Sequence, residues 1–292
     1  MSRSSSHSEN ISPTAFASGY FWYAQGLSHP AFNTHQGRLL HYLFRPFVLG
    51  TRVLGGFSMD ALMLARHRGI DGVLARLIEN GEVQQVIEVA AGMSPRGWDL
   101  VRRFGDRITY IETDLPKMAA FKRERLAGAG LLSDRHRVVE LDALADSGPS
   151  SIFEVAATLD PALGTAIVTE GLMTYFDPDS ARAAWNRFAR VLRTFERGYY
   201  LSDHYMQHDY GRNLGAGMFR KVLSSFVKGR IHVHFDSDAQ TVALMREAGF
   251  ARVWIHDTAS IPETRALAGK PGADRVRILQ SQVARRRRNK PA

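Results

Sequence analysis

The sequence predicts an α/β protein with a Rossmann-like, doubly wound sheet, mostly parallel with an antiparallel C-terminal hairpin, preceded by an N-terminal helical cap. From Val83 onward, short apolar runs alternate with helical patterns, as in sheets covered by helices on both faces. The first run, residues 86–89, is followed by Gly92, which lets a ligand approach the backbone closely. The next run ends near Asp114, 22 residues beyond Gly92. Open α/β sheets hold an adenosine in this way, with backbone at one strand end and a carboxylate on the ribose at the next.

Three helical segments are predicted before the first strand. Residues 18–24 and 39–44 are rich in aromatic residues at helical spacing, and residues 59–77 continue that pattern up to a breaker at Gly81. Helices that precede a cofactor-binding sheet commonly cover its ligand edge. We therefore predict a helical cap over residues 11–80.

The predicted strands and later helices follow in order. The strands are expected at residues 86–89, 108–112, 138–141, 166–169, 199–202, 251–256 and 275–279. Asp177 and Pro178 begin a helix that runs to Leu192, since proline is tolerated in a first helical turn. A helix at 241–247 ends at Gly249, and the two strands after it form the antiparallel hairpin.

Composition excludes several classes of function. A chain of 292 residues, 45% of them hydrophobic, can bury a full core, and the absence of cysteine excludes disulfides, thiolate nucleophiles and Cys-ligated zinc. The first ten residues are polar and unlike a signal peptide, and no apolar run is long enough to span a membrane. We predict a cytoplasmic protein without a membrane partner.

The net charge of +9 is concentrated at one end. Five of the basic residues lie between Arg285 and Lys290. A terminal run of like charges is usually a solvated tail, so we predict disorder at 285–292, as at the polar residues 1–10. Binding of nucleic acid or of an anionic surface by the tail is the alternative.

The residues around the first strands also carry a family resemblance. The motifs are Glu88-Val-Ala-Ala-Gly92 with Ser94-Pro95-Arg96, Tyr110-Ile-Glu-Thr-Asp114-Leu115-Pro116 with Phe121-Lys122-Arg123, and the segments 64–71, 141–144 and 168–175. Together they resemble the leucine carboxyl methyltransferase family, including its bacterial polyketide O-methyltransferase-like branch. The resemblance implies a class I S-adenosylmethionine-dependent methyltransferase domain over residues 81–284. The absence of a G-x-G-x-x-G motif agrees with a nucleoside cofactor that has no pyrophosphate.

The resemblance assigns several strand-end residues to S-adenosylmethionine. Gly92 would leave room for the methionine moiety, Glu88 would face the cofactor amino group, and Asp114 would accept from the ribose hydroxyls. A simple turn at Gly92, a buried polar contact for Glu88 and helix capping by Asp114 are the alternatives. Asp142, with the backbone of Ala143, would meet the adenine edge, or else cap a helix.

Further charged residues are assigned to the methionine end of the cofactor. Arg66 matches the family arginine that pairs with the cofactor carboxylate, and Arg68 or Arg96 could serve instead, because a guanidinium binds carboxylate bidentately. Glu170 corresponds to the acidic residue near the sulfonium, or is a solvated turn residue. The family also has a basic residue in its first helix, and residues 19–23 contain none.

Methyl transfer from a sulfonium is an in-line displacement, which needs alignment and exclusion of water rather than a metal or a covalent nucleophile. A carboxylate acceptor is already ionised near neutral pH, whereas a hydroxyl acceptor requires a base. Tyr175 could contact the acceptor or form a pocket wall. Together with His204 and His208 it is a candidate for the base.

The histidines also raise the question of a metal. His204 and His208 have helical metal-ligand spacing, and His232 and His234 would share one face of a strand. A third ligand does not accompany either pair in the sequence, so we predict no metal site.

The sequence thus predicts an O-methyltransferase acting on a carboxylate or hydroxyl of a small, polyketide-like acceptor. Methylation of a tRNA or protein carboxyl group, which the basic tail would serve, is one alternative. A non-catalytic S-adenosylmethionine-binding protein is the other.

Overall fold

This computed structural model describes residues 13–55, 57–207 and 232–285. The described part contains eight α-helices and seven strands. The helices are α1 (Pro13–Ala24), α2 (His35–Gly55), α3 (Met59–Glu79), α4 (Arg96–Phe104), α5 (Pro116–Gly128), α6 (Ile152–Ala157), α7 (Pro178–Leu192) and α8 (Asp238–Glu247). The strands are β1 (Gln85–Val89), β2 (Thr109–Asp114), β3 (His136–Glu140), β4 (Gly164–Thr169), β5 (Arg197–His204), β6 (Arg252–Asp257) and β7 (Arg277–Gln282). The predicted N-terminal segment 1–10, His208 and all of the predicted tail except Arg285 lie outside the described residues.

The strands form one sheet in the order β3-β2-β1-β4-β5-β7-β6. Strands β1 to β5 are parallel, and β7 pairs antiparallel with both β5 and β6. The predicted fold class is confirmed. Because β1 lies between β2 and β4, the strand order reverses there, and open α/β sheets bind ligands in the crevice outside the strand ends at such a point.

All seven predicted strands are present, but most of their ends are displaced by one to three residues, as β5 and β7 illustrate. β5 continues through His204, two residues beyond the predicted end, and β7 occupies Arg277–Gln282 rather than 275–279. The shift of β7 follows from a short 3-10 turn at Ala273–Arg275, after which the backbone pairs with β5 and β6 together.

Apolar layers cover both faces of the sheet. On one face, Ile70, Leu74 and Ile78 of α3 pack against Val86 of β1 and Ala166 of β4. The other face carries the largest cluster of buried residues, which includes Trp185 and Phe188 of α7 and Tyr200 of β5. Helix α3, which lies in the predicted cap segment, is therefore part of the layer that covers the sheet.

Helix α1 lies over the carboxyl ends of the strands. Phe16 packs edge-on against Phe121 of α5 with ring centroids 5.1 Å apart, and Trp22 stacks on His67 of α3 at 4.2 Å. Helix α2 in turn packs along α1. None of the described helices is both long enough and apolar enough to cross a bilayer.

Candidate active site

The loop after β1 brings backbone and carboxylate together as the sequence predicts. Gly92 has φ of 47°, a left-handed conformation that suits glycine, and a Cβ built there would lie 3.3 Å from the Cβ of Ala15 on α1. Its N–H donates to Asp114 Oδ2 at 2.7 Å, across the 22 residues that separate them. The ends of β1 and β2 are thereby linked directly.

Asp114 is occupied on both oxygens by backbone donors. Besides Gly92, the N–H of Leu115 donates to Oδ1 at 2.8 Å, at the start of α5. Burial raises the pKa of this carboxyl, and the two N–H donors counteract the rise. Each carboxylate oxygen can accept more than one hydrogen bond, so these two contacts leave Asp114 able to accept from hydroxyl groups as well. The ribose role stays a prediction.

Charged side chains from α3, β1, α4, β5 and the residue directly after β4 meet at the same edge of the sheet. We call this group the strand-end cluster, and its members are Arg66, His67, Asp71, Glu88, Arg96, Glu170 and Asp203. Four of the residues assigned from the sequence, Arg66, Glu88, Arg96 and Glu170, are thus brought together.

Arg96 is the centre of the strand-end cluster. Its guanidinium is fully buried and contacts three carboxylates, those of Asp71, Glu88 and Glu170, the last two at 2.5 Å. The other oxygen of Glu88 accepts from the Tyr110 hydroxyl at 2.9 Å. Burial raises the pKa of Glu88, and Arg96 opposes that rise. Both oxygens of Glu88 therefore have protein partners, and its contact with a cofactor amino group remains a prediction.

Arg66 occupies the more open side of the strand-end cluster. Its Nε donates to Glu170 Oε1 at 2.9 Å, and its Nη1 lies 3.8 Å from Asp203 Oδ2 and 3.5 Å from the Tyr205 hydroxyl. The side chain is 18% exposed, whereas that of Arg96 is 0% exposed. Of the two arginines, Arg66 is the one that an incoming carboxylate can reach.

Glu170 connects the two arginines. Burial opposes its ionisation, but His67, Arg66 and Arg96 outweigh that cost and hold the pKa of Glu170 well below its usual range. The His67 Nδ1 lies 2.8 Å from Glu170 Oε2. Asp203 differs, since burial raises its pKa against the nearby Arg66.

The strand-end cluster holds more acidic than guanidinium groups. Four carboxylates, those of Asp71, Glu88, Glu170 and Asp203, face two guanidinium groups. His67 supplies an imidazole beside them. An excess of carboxylate in a partly buried site favours a cationic ligand.

Asp142 and Ala143 follow β3 as predicted. The Leu144 N–H donates to Asp142 Oδ1 at 2.9 Å, and the Ala143 carbonyl accepts from Arg187 at 3.2 Å. Asp142 thus shapes the turn. The adenine role of both residues stays a prediction.

Tyr175 ends a 3-10 turn after β4 and is 36% exposed. Desolvation of its hydroxyl raises the pKa of Tyr175, and the nearby Arg66 and a hydrogen bond with Thr14 of α1 oppose the rise. The residue therefore lies between α1 and the strand-end cluster. That position is consistent with either a pocket wall or an acceptor contact.

A second charged group lies beside the first, and no role was predicted for it, although two of its members lie in the family motifs. Glu112 of β2 contacts the ammonium of Lys122 and, at 2.6 Å, the Nε2 of His136. The three side chains are at most 2% exposed, and we call them the closed cluster. Lys122 also donates to the Ser94 carbonyl at 2.8 Å, which ties α5 to the loop after β1.

The Ser94-Pro95-Arg96-Gly97 motif serves both clusters. Arg96 enters the strand-end cluster, whereas Gly97 leaves room for the closed cluster. A Cβ on Gly97 would press into the carboxylate of Glu112 and come within 2.8 Å of His136 Nε2.

The predicted histidine pairs have other surroundings. His232 and His234 are not on a strand, because the His232 N–H donates to Thr174 O at 2.8 Å and the His234 ring bonds the Met173 carbonyl at 2.7 Å. The prediction of a strand there is wrong. His204 lies at the end of β5, where burial lowers its pKa to about 4. Within the described ranges, no group of three or more His, Asp and Glu side chains has the arrangement of a metal site.

A small cavity of about 130 Å³ lies between α7, α8 and residues 233–236. Its lining includes Trp185, Gln207 and His234. The volume is below the roughly 300 Å³ at which ligand pockets usually begin.

The fold and the strand ends define a class. A sheet with five parallel strands and an inserted antiparallel β7, carrying a glycine and a carboxylate at the point of strand-order reversal, is a fold shared with solved methyltransferase structures. Residues 54–189 match the model of the leucine carboxyl methyltransferase family, the same family that the motifs resemble.

Solved structures agree with this fold. A DUF574 family protein from Streptomyces avermitilis superposes with a TM-score of 0.64, covering 93% of this chain and 97% of that chain at 14% identity. A candidate methyltransferase from Thermobifida fusca gives 0.61, with 96% and 97% covered at 11% identity. At such identities the likeness shows the shared fold alone.

Relatives by sequence carry the predicted cofactor in their names. A candidate S-adenosyl-L-methionine-dependent methyltransferase from Mycolicibacterium gilvum is 32% identical over 118 residues, 40% of this chain and 37% of the relative. Another from Saccharopolyspora erythraea is 35% identical over 123 residues, 42% of this chain and 41% of the relative. The matched region thus spans less than half the length of these relatives.

Proposed function

We propose that this protein binds S-adenosylmethionine and transfers its methyl group to a carboxylate or hydroxyl of a small, polyketide-like acceptor. The observation that carries the proposal is the meeting of two features at one sheet edge. These are the Gly92–Asp114 strand ends and the strand-end cluster with its excess of carboxylates. The first suits a nucleoside, and the second suits a cationic ligand.

The residues present fit such a cofactor. Asp114 retains acceptor capacity for ribose hydroxyls, and Gly92 keeps the end of β1 free of a side chain. Arg66 is accessible to the methionine carboxylate, and Glu170, which stays ionised, suits a sulfonium. When bound, the cofactor supplies an electrophilic methyl group on sulfur.

The chain's own part in the reaction is alignment and exclusion of water. Helix α1 covers the strand ends through Ala15 and Trp22, and Tyr175 closes the side next to Thr14. Enclosing two reactants in this way raises their effective concentration and removes competing water. The family name supports a carboxylate acceptor, which requires no base at neutral pH. A cytoplasmic location also remains a prediction.

Calorimetric titration tests cofactor binding. We expect micromolar affinity for S-adenosylmethionine and S-adenosylhomocysteine, about −8 kcal/mol, and no heat with NAD. Asp114→Ala should weaken binding by about 1.5–3 kcal/mol, the range for hydrogen bonds to a charged group. Asp134→Ala, at an exposed position between α5 and β3, is the matched control and should bind normally. Heat with NAD and none with S-adenosylmethionine would overturn the proposal.

Turnover with methyl-labelled cofactor in a cell extract, followed by mass spectrometry, would identify the acceptor and the methylated atom. For a carboxylate, the rate should be flat from about pH 6 to about pH 9, because the nucleophile is already ionised. A steep rise between those values would instead indicate a hydroxyl acceptor and a base.

A further inference from the structure

Helix α2 exposes a row of large apolar side chains. Leu39, Tyr42, Leu43 and Leu49 are 62%, 55%, 67% and 49% exposed, and Pro46 is exposed between them. Their spacing of three and four residues places them on one face of the helix. Isolated exposed leucines are ordinary, but a continuous stripe of this kind indicates an interaction surface.

We call the exposed residues Leu39, Tyr42, Leu43, Pro46 and Leu49 the apolar stripe. The opposite face of α2 packs against α1, so the apolar stripe faces solvent. His41 packs on Tyr20 with ring centroids 5.1 Å apart. Gly37 lies so close to α1 that a Cβ there would collide with the Phe16 carbonyl. The outward face is therefore set by the packing of the two helices.

Basic residues flank the stripe. Arg38 and Arg45 are exposed and lie seven residues apart, on the same side of the apolar row. Residues 35–55 contain no aspartate or glutamate. An acidic residue of α3, Asp60, interacts with His41 and opposes the lowering of its pKa by burial. His41 lies on the packed side of the helix.

The charges decide between the candidate partners. A second copy of this chain would bring one Arg38–Arg45 flank against another, and like charges at an interface are unfavourable. Residues 208–231 of the same chain contain five lysines and arginines and one aspartate, so their charge does not complement the flank either. An anionic lipid surface complements both the apolar stripe and the basic flank.

We propose that α2 docks this protein on the surface of an anionic lipid bilayer, with the apolar stripe at the boundary between headgroups and acyl chains. The sequence predicts no membrane partner because no run is long enough to span a bilayer. A helix that lies in the interface needs no such run. This proposal does not depend on methyl transfer.

Sedimentation with vesicles tests it on the full chain. The protein should bind vesicles of phosphatidylcholine with phosphatidylglycerol and bind pure phosphatidylcholine far less. Leu43→Glu should lower the partition coefficient about tenfold or more, and Arg45→Glu about tenfold. The matched controls are Leu163→Glu, at a residue 37% exposed before β4, and Arg265→Glu, at an exposed position before β7. Both should bind as the unaltered protein does.

Two further measurements test whether vesicle binding comes from the basic tail or from unfolding of the variant. A chain that ends at Arg285 should retain the sensitivity to Leu43→Glu, because that effect comes from α2 and not from the basic tail. Thermal melting should be unchanged by Leu43→Glu, since its side chain is 67% exposed. Absence of vesicle binding, equal binding by Leu43→Glu, or a stable dimer that Leu43→Glu dissociates in sedimentation velocity would overturn the proposal.

Discussion

The two charged clusters of this protein are neighbours but differ in composition and access. The closed cluster has one carboxylate and one ammonium, with the imidazole of His136 as a further partner, and its side chains are at most 2% exposed. The strand-end cluster has four carboxylates and two guanidinium groups, and Arg66, Asp71 and Glu170 are 18%, 19% and 9% exposed. Buried charges alone therefore do not mark a site. We expect the site at the strand-end cluster, where carboxylates outnumber guanidinium groups and solvent reaches some of the side chains.

The comparison predicts that the closed cluster serves stability. Lys122→Met should lower the free energy of unfolding by about 3–5 kcal/mol, because it leaves Glu112 buried without its cation. Urea denaturation measures the change. Lys270→Met, at an exposed lysine, should stay within about 0.5 kcal/mol of the unaltered protein. Equal stability of the two variants would contradict a structural role for the closed cluster.

The strand-end cluster should instead serve cofactor binding. Glu170→Gln is expected to weaken S-adenosylmethionine binding by about 1.5–3 kcal/mol, with a smaller loss for S-adenosylhomocysteine, which has no sulfonium charge. Its loss of stability should be below that of Lys122→Met, because Glu88 and Asp71 still neutralise Arg96. Calorimetry with both ligands measures the difference.

Glu124→Gln, at an exposed residue of α5, is the control for that experiment and should bind both ligands normally. Equal losses for the two ligands in Glu170→Gln would show that its charge does not face the sulfonium.

The sequence predicts contacts between residues that are close along the chain better than contacts between residues that are far apart. The Gly92–Asp114 contact follows from two strand ends one crossover apart, and the structure shows it at 2.7 Å. Arg66 and Glu170 are 104 residues apart, and only the family resemblance placed both at the cofactor. That Arg96 joins Glu88 to Glu170 depends on how α3 and α4 pack on the sheet, which local pattern does not encode.

Some members of the strand-end cluster were missed for identifiable reasons. His67 and Asp71 are spaced like any exposed pair on a helix, and only the packing of α3 against the sheet and α1 buries His67. Asp203 directly follows the predicted fifth strand, much as Asp114 follows the second, but no family motif and no spacing from Gly92 marked it. Its contact with the strand-end cluster depends on Arg66 of α3, which is far away along the chain.

The smallest expected effect is a difference between the two clusters in how their buried glutamates make stability depend on pH. Burial raises the pKa of Glu88, whereas Lys122 and His136 outweigh the burial of Glu112 and lower its pKa. A carboxyl with a raised folded pKa favours folding at low pH, and that contribution is lost as pH rises from the ordinary value of 4.5 through the folded pKa. Because glutamine does not titrate, the stability of Glu88→Gln relative to the unaltered protein should increase as pH rises above 4.5.

Glu112→Gln provides the contrast. With a lowered pKa, Glu112 is ionised in both the folded and unfolded states above 4.5, so its contribution changes only at lower pH. The stability of Glu112→Gln relative to the unaltered protein should therefore be constant between about pH 5 and about pH 8. Urea midpoints at both ends of that range measure each difference, and the change for Glu88→Gln should be below the roughly 3 kcal/mol expected for Lys122→Met. Parallel pH profiles for the two glutamine variants would mean that the carboxylates of the two clusters experience the same environment, and the distinction between an open and a closed cluster would fail.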